Sequence, residues 1–521
     1  GCLDARRTLK SLVADLRFTI LSGFATFVCV GGAVAQSQIN RSAYFLEGAT
    51  YRHELNPAFM GERGYVGMPG LGNLSVGAQG TAGVGDFLFV KSNGDLMTFM
   101  HEGVSRADFL NGLPNRIKMG FNLNENILST GFYAWGGFNT FGLSIKSNAN
   151  VFAPDQLFKF MKNGVDAPEG THYTVNDLNI LTTNYAEIAF GHARQINEQW
   201  TVGAKAKFLV GLAKATVKID RLDIDATPDA WKITPSGAQA YLSAKGLIAP
   251  TRGETGNYEE SDYVLDANGN RTNQLKPGSE QLLSYDDLDF DTKKMGPTGF
   301  GLAFDFGATY RLNDDWTFSA AVLDLGFIRW KNTVKATMNN SFEFDGFNEI
   351  PVKSDLGDND PNSIDNQSDR VADDLKQMAK FTKEGEGLKR TTALAATLNL
   401  GAEYTLPVYD RLKFGLLSST RIQGRHSWTE ARLSANVSPL AWFEASLNYA
   451  LSNFGSSTGL MLNFHPKGFN FFVAADVPMG KYTPKYCIPI NRFSANVNLG
   501  INFTFGPKHK TRYQCVEVQS L

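Results

Sequence analysis

The chain has 521 residues, is 43% hydrophobic and 12% aromatic, and contains 38 Phe and 51 Gly. Its mean hydropathy of −0.21 excludes a bundle of membrane-spanning helices, and a formal charge of −2 without a basic cluster gives no footprint for nucleic acid. A soluble chain of this length would divide into two or three domains, whereas a membrane β-barrel holds it as one, with long strands and longer surface loops.

Residues 5–17 are basic on balance, and the apolar run 18–35 closes on Ala33, Val34 and Ala35, a small-x-small ending before Gln36. That is the pattern of a secretory leader, and Thr19, Ser22 and Thr26 weaken the run as a spanning helix. Residues 1–35 therefore read as a signal peptide, with the natural start upstream of Gly1. Its removal takes away four basic and two acidic residues and leaves a formal charge of −4. Cys29 lacks the small residues that lipidation requires immediately before it. Cys2 and Cys29 fall in the leader, Cys487 in a predicted surface loop and Cys515 beyond the last strand. The last two would lie on opposite sides of a membrane, without CxxC or histidine spacing, so neither a disulfide nor a zinc site is expected.

Residues 36–63 have neither strand alternation nor a helical stripe. Their place ahead of every strand suits a plug in the barrel mouth or lumen, or equally an ordered periplasmic arm. From 64 to 506 the chain alternates. In the closing stretch Val497, Leu499, Ile501, Phe503 and Phe505 fall on one face, and Asn498, Gly500, Asn502 and Thr504 on the other. Beside a leader, such rows point their apolar side to lipid and their polar side into a lumen. The expected strands are 72–82, 116–136, 138–150, 182–195, 200–218, 298–312, 316–332, 390–406, 411–425, 428–437, 441–453, 458–466, 469–478 and 492–505. That is an all-β, transmembrane antiparallel barrel of about 14 strands, an even number as single-chain bacterial barrels have.

Short polar turns fall at 195–199, 313–315, 407–410, 438–440 and 466–468, and long irregular inserts at 151–180, 220–297 and 331–388. Counting back from a last strand that ends in the periplasm, every short turn falls on the periplasmic side and the inserts become extracellular loops. Residues 154–163 and 369–383 have helical spacing, the latter with Val371, Leu375, Met378 and Phe381 on one stripe. Residues 507–521 form a basic tail with Lys508, His509, Lys510 and Arg512, in the periplasm.

The alternation sends Val202, Ala204, Ala206 and Phe208 to lipid and Lys205 and Lys207 inward. It likewise sends Phe300, Leu302, Phe304 and Phe306 outward and Asp305 inward. The same reading turns Glu187, Glu403, Arg421, Arg432 and Glu444 to the lumen. A Lys or Arg facing lipid at mid-membrane costs about 2–4 kcal/mol, so the inward placement is the cheaper one. A mixed acid–base set is either a salt-bridge lattice that stiffens the wall and seats a plug, or a polar constriction on a solute path.

Chemical motifs carry little. Residues 455–459 match GxSxG but lie between two alternating strands, without the strand–turn–helix that a nucleophile elbow needs. His53-Glu54 and His101-Glu102 begin like HExxH, but Pro57 and Ser105 stand where the second histidine belongs. Asp358, Asp360, Asn362, Asp365 and Asp369 have the flavour of a calcium loop, interrupted by Pro361 and with Ser363 in place of the needed glycine. The acidic run Asp286, Asp287, Asp289 and Asp291 reads as solvated. No catalytic, metal or cofactor residue is expected, and no enzyme.

Residues 53–60 (HELNPAFM), 185–211, 299–330 and the closing strand carry a likeness that runs across nearly the whole mature chain. With them the chain resembles a family of Bacteroidetes outer-membrane barrels of unassigned function, related to the FadL-like long-chain fatty-acid transporters and the PorV-like secretion components. The resemblance implies a 14-stranded barrel with an N-terminal segment inside the lumen, in the cell outer membrane of a Gram-negative bacterium. It carries over no catalytic or ligand residue. Beyond the lipid bilayer itself, two partners are then in view. One is a hydrophobic or amphipathic small molecule taken up passively past the plug, entering at a greasy surface formed by Leu157, Phe158, Phe160, Val371, Leu375, Met378 and Phe381. The plainer reading of those residues is loop helices packed on one another. The alternative role is a non-transporting structural or assembly partner in an outer-membrane complex, docking through loops and tail. A general porin is disfavoured by a segment in the lumen.

Overall fold

The computed structural model describes residues 41–90, 94, 96–228, 231–344, 364–482 and 489–509. The leader, the four cysteines, Asp358, Asp360 and Asn362, the side chains of Asp365 and Asp369, and tail residues 510–521 lie outside the described residues.

Fourteen antiparallel strands close into a barrel. They are β1 (Gly64–Gly67, resumed at Leu74–Gly80), β2 (Arg116–Ala134), β3 (Gly137–Pro154), β4 (Thr171–Gln195), β5 (Trp200–Ala226), β6 (Gly299–Arg311) and β7 (Trp316–Met338). After them come β8 (Thr382–Ala393, resumed at Ala396–Thr405), β9 (Leu412–Ile422), β10 (Trp428–Leu440), β11 (Phe443–Ser452), β12 (Gly455–Phe464), β13 (Asn470–Met479) and β14 (Phe493–Phe505). Closure comes at β14, which pairs with β13 (Asn470↔Asn502) on one side and with both halves of β1 on the other (Gly64↔Phe505, Leu74↔Leu499). Residues 68–73 leave the β1 ladder, but the Gly70 amide still donates to Ile127 O (3.1 Å) and the Ile501 amide to Leu71 O (2.9 Å), so the wall stays sealed.

Apolar rows face out along every strand. Phe300, Leu302, Phe304 and Phe306 are all exposed on β6, and Asp305 between them is 1% exposed. At the short-turn end, aromatic pairs ring the wall: Trp200 with Tyr310 (4.8 Å between ring centres), Trp316 with Tyr404 (4.9 Å) and Phe443 with Phe464 (5.0 Å). One of these turns, between β2 and β3, has only Trp135 (φ 54°) and Gly136 (φ 72°) outside the strands, the left-handed pair that matches strand twist in a two-residue hairpin. The expected turn at 438–440 lies one step later, because β10 runs to Leu440.

At the opposite end the inserts are less irregular than the sequence pattern predicts. β4 starts at Thr171, β5 runs to Ala226 and pairs with a further strand, Trp231–Ala244, and β7 runs to Met338. The physical reason is an inversion of faces. In the upper part of β5, Ile219, Leu222 and Ile224 are buried inside, while Lys218, Arg221 and Asp225 face water. Above the lipid, the interior is an apolar core capped by three helices: α1 (Arg106–Leu110), α2 (Asp155–Asn163) and α3 (Ile364–Met378). Phe99 stacks on Phe109 (4.5 Å) and Phe87 meets Phe158 (5.1 Å). The third helix begins and ends earlier than its stripe suggests. Phe381 lies past its end, where its carbonyl accepts from the Leu283 amide (2.9 Å). Leu157, Phe158, Phe160, Val371, Met378 and Phe381 are all buried in this core, so they form packed loop helices and not an open greasy entrance.

Candidate functional site

Residues 41–63 run through the lumen as two short 3-10 turns, Arg41–Ala43 and Arg52–Glu54, joined by irregular chain. A segment without a ladder must satisfy its polar groups elsewhere, and the wall's inward polar rows supply the partners. The Gly48 amide donates to Glu444 (3.0 Å to Oε2), Thr50 to Asn470 (2.8 Å), Tyr51 to Asn502 (2.8 Å), and Asn399 donates to Leu55 O (2.9 Å). Tyr44, Leu46 and Leu55 pack with Leu417, Met461 and Phe472 of the wall. Wall glycines make room for this passage: a Cβ at Gly203 would lie 2.1 Å from Pro57 O, and one at Gly307 2.0 Å from Asn56 Oδ1.

Two buried ion networks hold the site. In the first, Arg41 grips Glu430 through Nε and Nη2 (both 2.8 Å), Glu430 also accepts from Arg432 (2.9 Å), and Arg432 pairs with Asp476 (2.8 Å). Two cations face two carboxylates, so each charge is paired, which is the condition under which buried ion pairs are tolerated. In the second, Lys207 lies between Asp305 (2.8 Å) and Asp324 (2.6 Å) with Glu187 at 3.8 Å, and Lys146 pairs with Glu187 (2.8 Å).

The eight lumen residues read from the sequence divide accordingly. Glu187, Lys207 and Asp305 come together. Lys205 does not join them: its ammonium donates to His53 Nδ1 (2.7 Å), which leaves Nε2 to carry the proton towards Tyr65 (2.7 Å). Arg432 sits in the other network, Glu444 holds the Gly48 amide, Glu403 accepts from Lys413 (3.4 Å), and Arg421 donates to Asn148 (3.3 Å). Lys413 also pairs with Glu47 of the plug.

Arg41, Lys146, Asp324, Glu430 and Asp476 are the members that alternation left unnamed. Glu430 and Asp476 share the inward face of their strands, so the signal for them was present. Asp324 is different. Strict alternation from Phe318 would aim it at lipid. A bulge places Leu323 and Asp324 together opposite Asp305, and Asp324 takes φ 60°, which turns its carboxylate inward.

Several cavities remain around the plug, and two of them bear on function. One, of about 70 Å³, lies beside Arg41, Lys146, Asp324 and Arg421. The other, of about 240 Å³, opens at the short-turn end beside Glu47, Glu62, Lys413 and His465. There the plug's exit is tied to the end of the last strand: Lys508 pairs with Glu62 (2.9 Å), the His509 amide donates to Glu62 O (2.7 Å) and Arg63 donates to Gly506 O (2.7 Å). Burial pushes the Glu62 carboxyl up, but His465 and Lys508 outweigh it and hold it below its usual range. Residues 455–459 lie at the start of β12, with no helix after them, and Asp286 and Asp291 pair with Lys376 and Lys294 at the surface.

Residues 57–476 match the family described as Family of unknown function (DUF5723), and the chain belongs to that family. No curated protein matches it. Among solved structures, it is similar to the toluene transporter TbuX of Ralstonia pickettii (10% identity, TM-score 0.39, covering 92% of this chain and 98% of that one). It is also similar to the toluene transporter TodX of Pseudomonas putida (10%, 0.37, 93% and 98%) and to a FadL homologue of Pseudomonas aeruginosa (10%, 0.37, 91% and 99%).

Proposed function

We propose that this member of the family is a gated outer-membrane barrel for passive uptake of hydrophobic or amphipathic small molecules, without enzymatic activity, and that its resting state is plugged. One observation carries the reading: the plug has no ladder to the wall and is seated by side-chain hydrogen bonds, ion pairs and a small apolar cluster, under a cap whose interior is apolar. Polar contacts exchange for water at a net cost of only about 1 kcal/mol each, so such a segment can shift, whereas the lipid-facing wall cannot. A shift is necessary, because a small-molecule site needs about 300 Å³ or more and the cavity between plug and wall has about 70 Å³.

The test is transfer into vesicles with a lipopolysaccharide outer leaflet. The intact barrel should speed entry of a hydrophobic dye while planar-bilayer conductance stays closed. Dye entry no faster than in protein-free vesicles sinks the proposal. A second reading, a non-transporting assembly or secretion partner of the PorV-like kind, draws support from the tightly packed cap. Recovery of a stoichiometric outer-membrane protein after mild solubilisation, together with null transfer, would favour it.

A further inference from the structure

We infer that the lumen cavity between plug and wall binds a compact oxyanion, the carboxylate or phosphate group of a small molecule. This goes beyond the uptake proposal and holds whether or not the barrel transports. The cavity of about 70 Å³ has room for roughly five water-sized positions, which suits a carboxylate or phosphate group and is too small for a whole hydrocarbon solute.

Its charge is lopsided. Arg41, Lys146 and Arg421 line it against a single carboxylate, Asp324. Asp324 pairs with Lys207, which Asp305 shares, Arg41 pairs with Glu430 and Lys146 with Glu187. Arg421 has no carboxylate within ion-pair distance among the described residues, and donates only to the neutral Asn148 amide. Asp324 acts on this guanidinium only from beyond that distance, and the guanidinium's planar fork fits an oxyanion.

The surrounding groups point the same way. Arg41 is 8% exposed, yet its Nη1 has no partner among the described residues. Asn124, on the same cavity wall, has neither amide atom partnered. Donors from the plug (Arg41) and from the wall (Arg421, Lys146, Asn124) thus converge on one space, and an oxyanion there would bridge them.

The experiment is calorimetric titration of the full-length barrel in detergent with acetate, inorganic phosphate, hexanoate and the neutral hexan-1-ol. Acetate or phosphate should bind and hexan-1-ol should not. Arg421→Gln should weaken anion binding by about tenfold or more. Asn124→Asp, which keeps every cation and places a carboxylate at the site, should do the same. Heat-modifiable migration on gels verifies that each variant is folded. Hexanoate binding above acetate identifies the anion as the head of an amphipathic solute, and equal binding identifies a free ion; both support the site. Failure of both acetate and phosphate to bind, or binding unchanged in both variants, overturns it.

Discussion

Replacing Lys207 by methionine removes the one cation in contact with both Asp305 (2.8 Å) and Asp324 (2.6 Å). Its nearest cationic neighbour in the network, Lys146, is engaged by Glu187 (2.8 Å). The side chains keep similar length and the wall strand keeps its ladder, so the loss is chiefly electrostatic. Breaking a buried pair from one side costs about 3–5 kcal/mol, because a charge is left without compensation. A ceiling of similar size comes from protonation, since forcing a carboxyl of ordinary acidity to hold a proton at pH 7 costs about 4 kcal/mol. Guanidinium unfolding from phosphocholine vesicles, followed by tryptophan fluorescence, should therefore show Lys207→Met losing about 3–5 kcal/mol with little change in slope. Adding Asp305→Asn and Asp324→Asn to the same chain should recover most of it. Lys205→Met leaves no carboxylate stranded, because its bonded partner is His53, and should cost clearly less. A loss below about 1 kcal/mol for Lys207→Met, or no recovery in the triple variant, would refute the compensation argument.

Phe304→Arg puts a charge on the lipid face and should cost about 2–4 kcal/mol in the same unfolding assay. Gly203→Ala would drive a Cβ to 2.1 Å from Pro57 O. It should unseat the plug, so that residues 41–62 become open to protease and the bilayer conducts, while gel migration still reports a folded barrel. The Glu62 carboxyl is held below its ordinary value of about 4.5, so the stability it contributes is fully present above that value and is lost as pH falls through its lower, folded value. Thermal midpoints of wild type and Glu62→Gln should differ near neutral pH and converge as the pH falls below about 4; a gap that widens there reverses the sign and rejects the assignment.

The barrel wall was legible because alternation is a two-residue rule written in nearly every strand, and its breaks fell at short polar turns. The upper parts of β4, β5 and β7 were harder to read. Alternation slips by one residue between Ile219 and Leu222, where Asp220 and Arg221 are both exposed, and the solvent has changed from lipid to water, so the apolar side turns inward and the lipid-facing signature disappears. Asp324 was hidden by a single extra residue that reverses which side a carboxylate faces. Residues 41–63 have no period at all, which is why plug and periplasmic arm stood level on sequence. What decides their place is the set of complementary partners on strands hundreds of residues away, such as Arg41 with Glu430 and Tyr51 with Asn502, and no local pattern encodes such a pairing. The greasy stripe on the loop helices was visible too, but only packing could tell a core from an entrance.

The orientation of the wall is tested most directly by a nitroxide scan of 497–505 in reconstituted bilayers, comparing collisions with oxygen, which partitions into lipid, and with a water-soluble nickel chelate. Positions 497, 499, 501, 503 and 505 should be open to oxygen and closed to nickel, and positions 498, 500 and 502 shielded from both by the plug and its partners. A stretch in which nickel reaches the odd-numbered positions as readily as oxygen does would mean that those side chains meet water, and the membrane barrel with its sealed lumen would have to be abandoned.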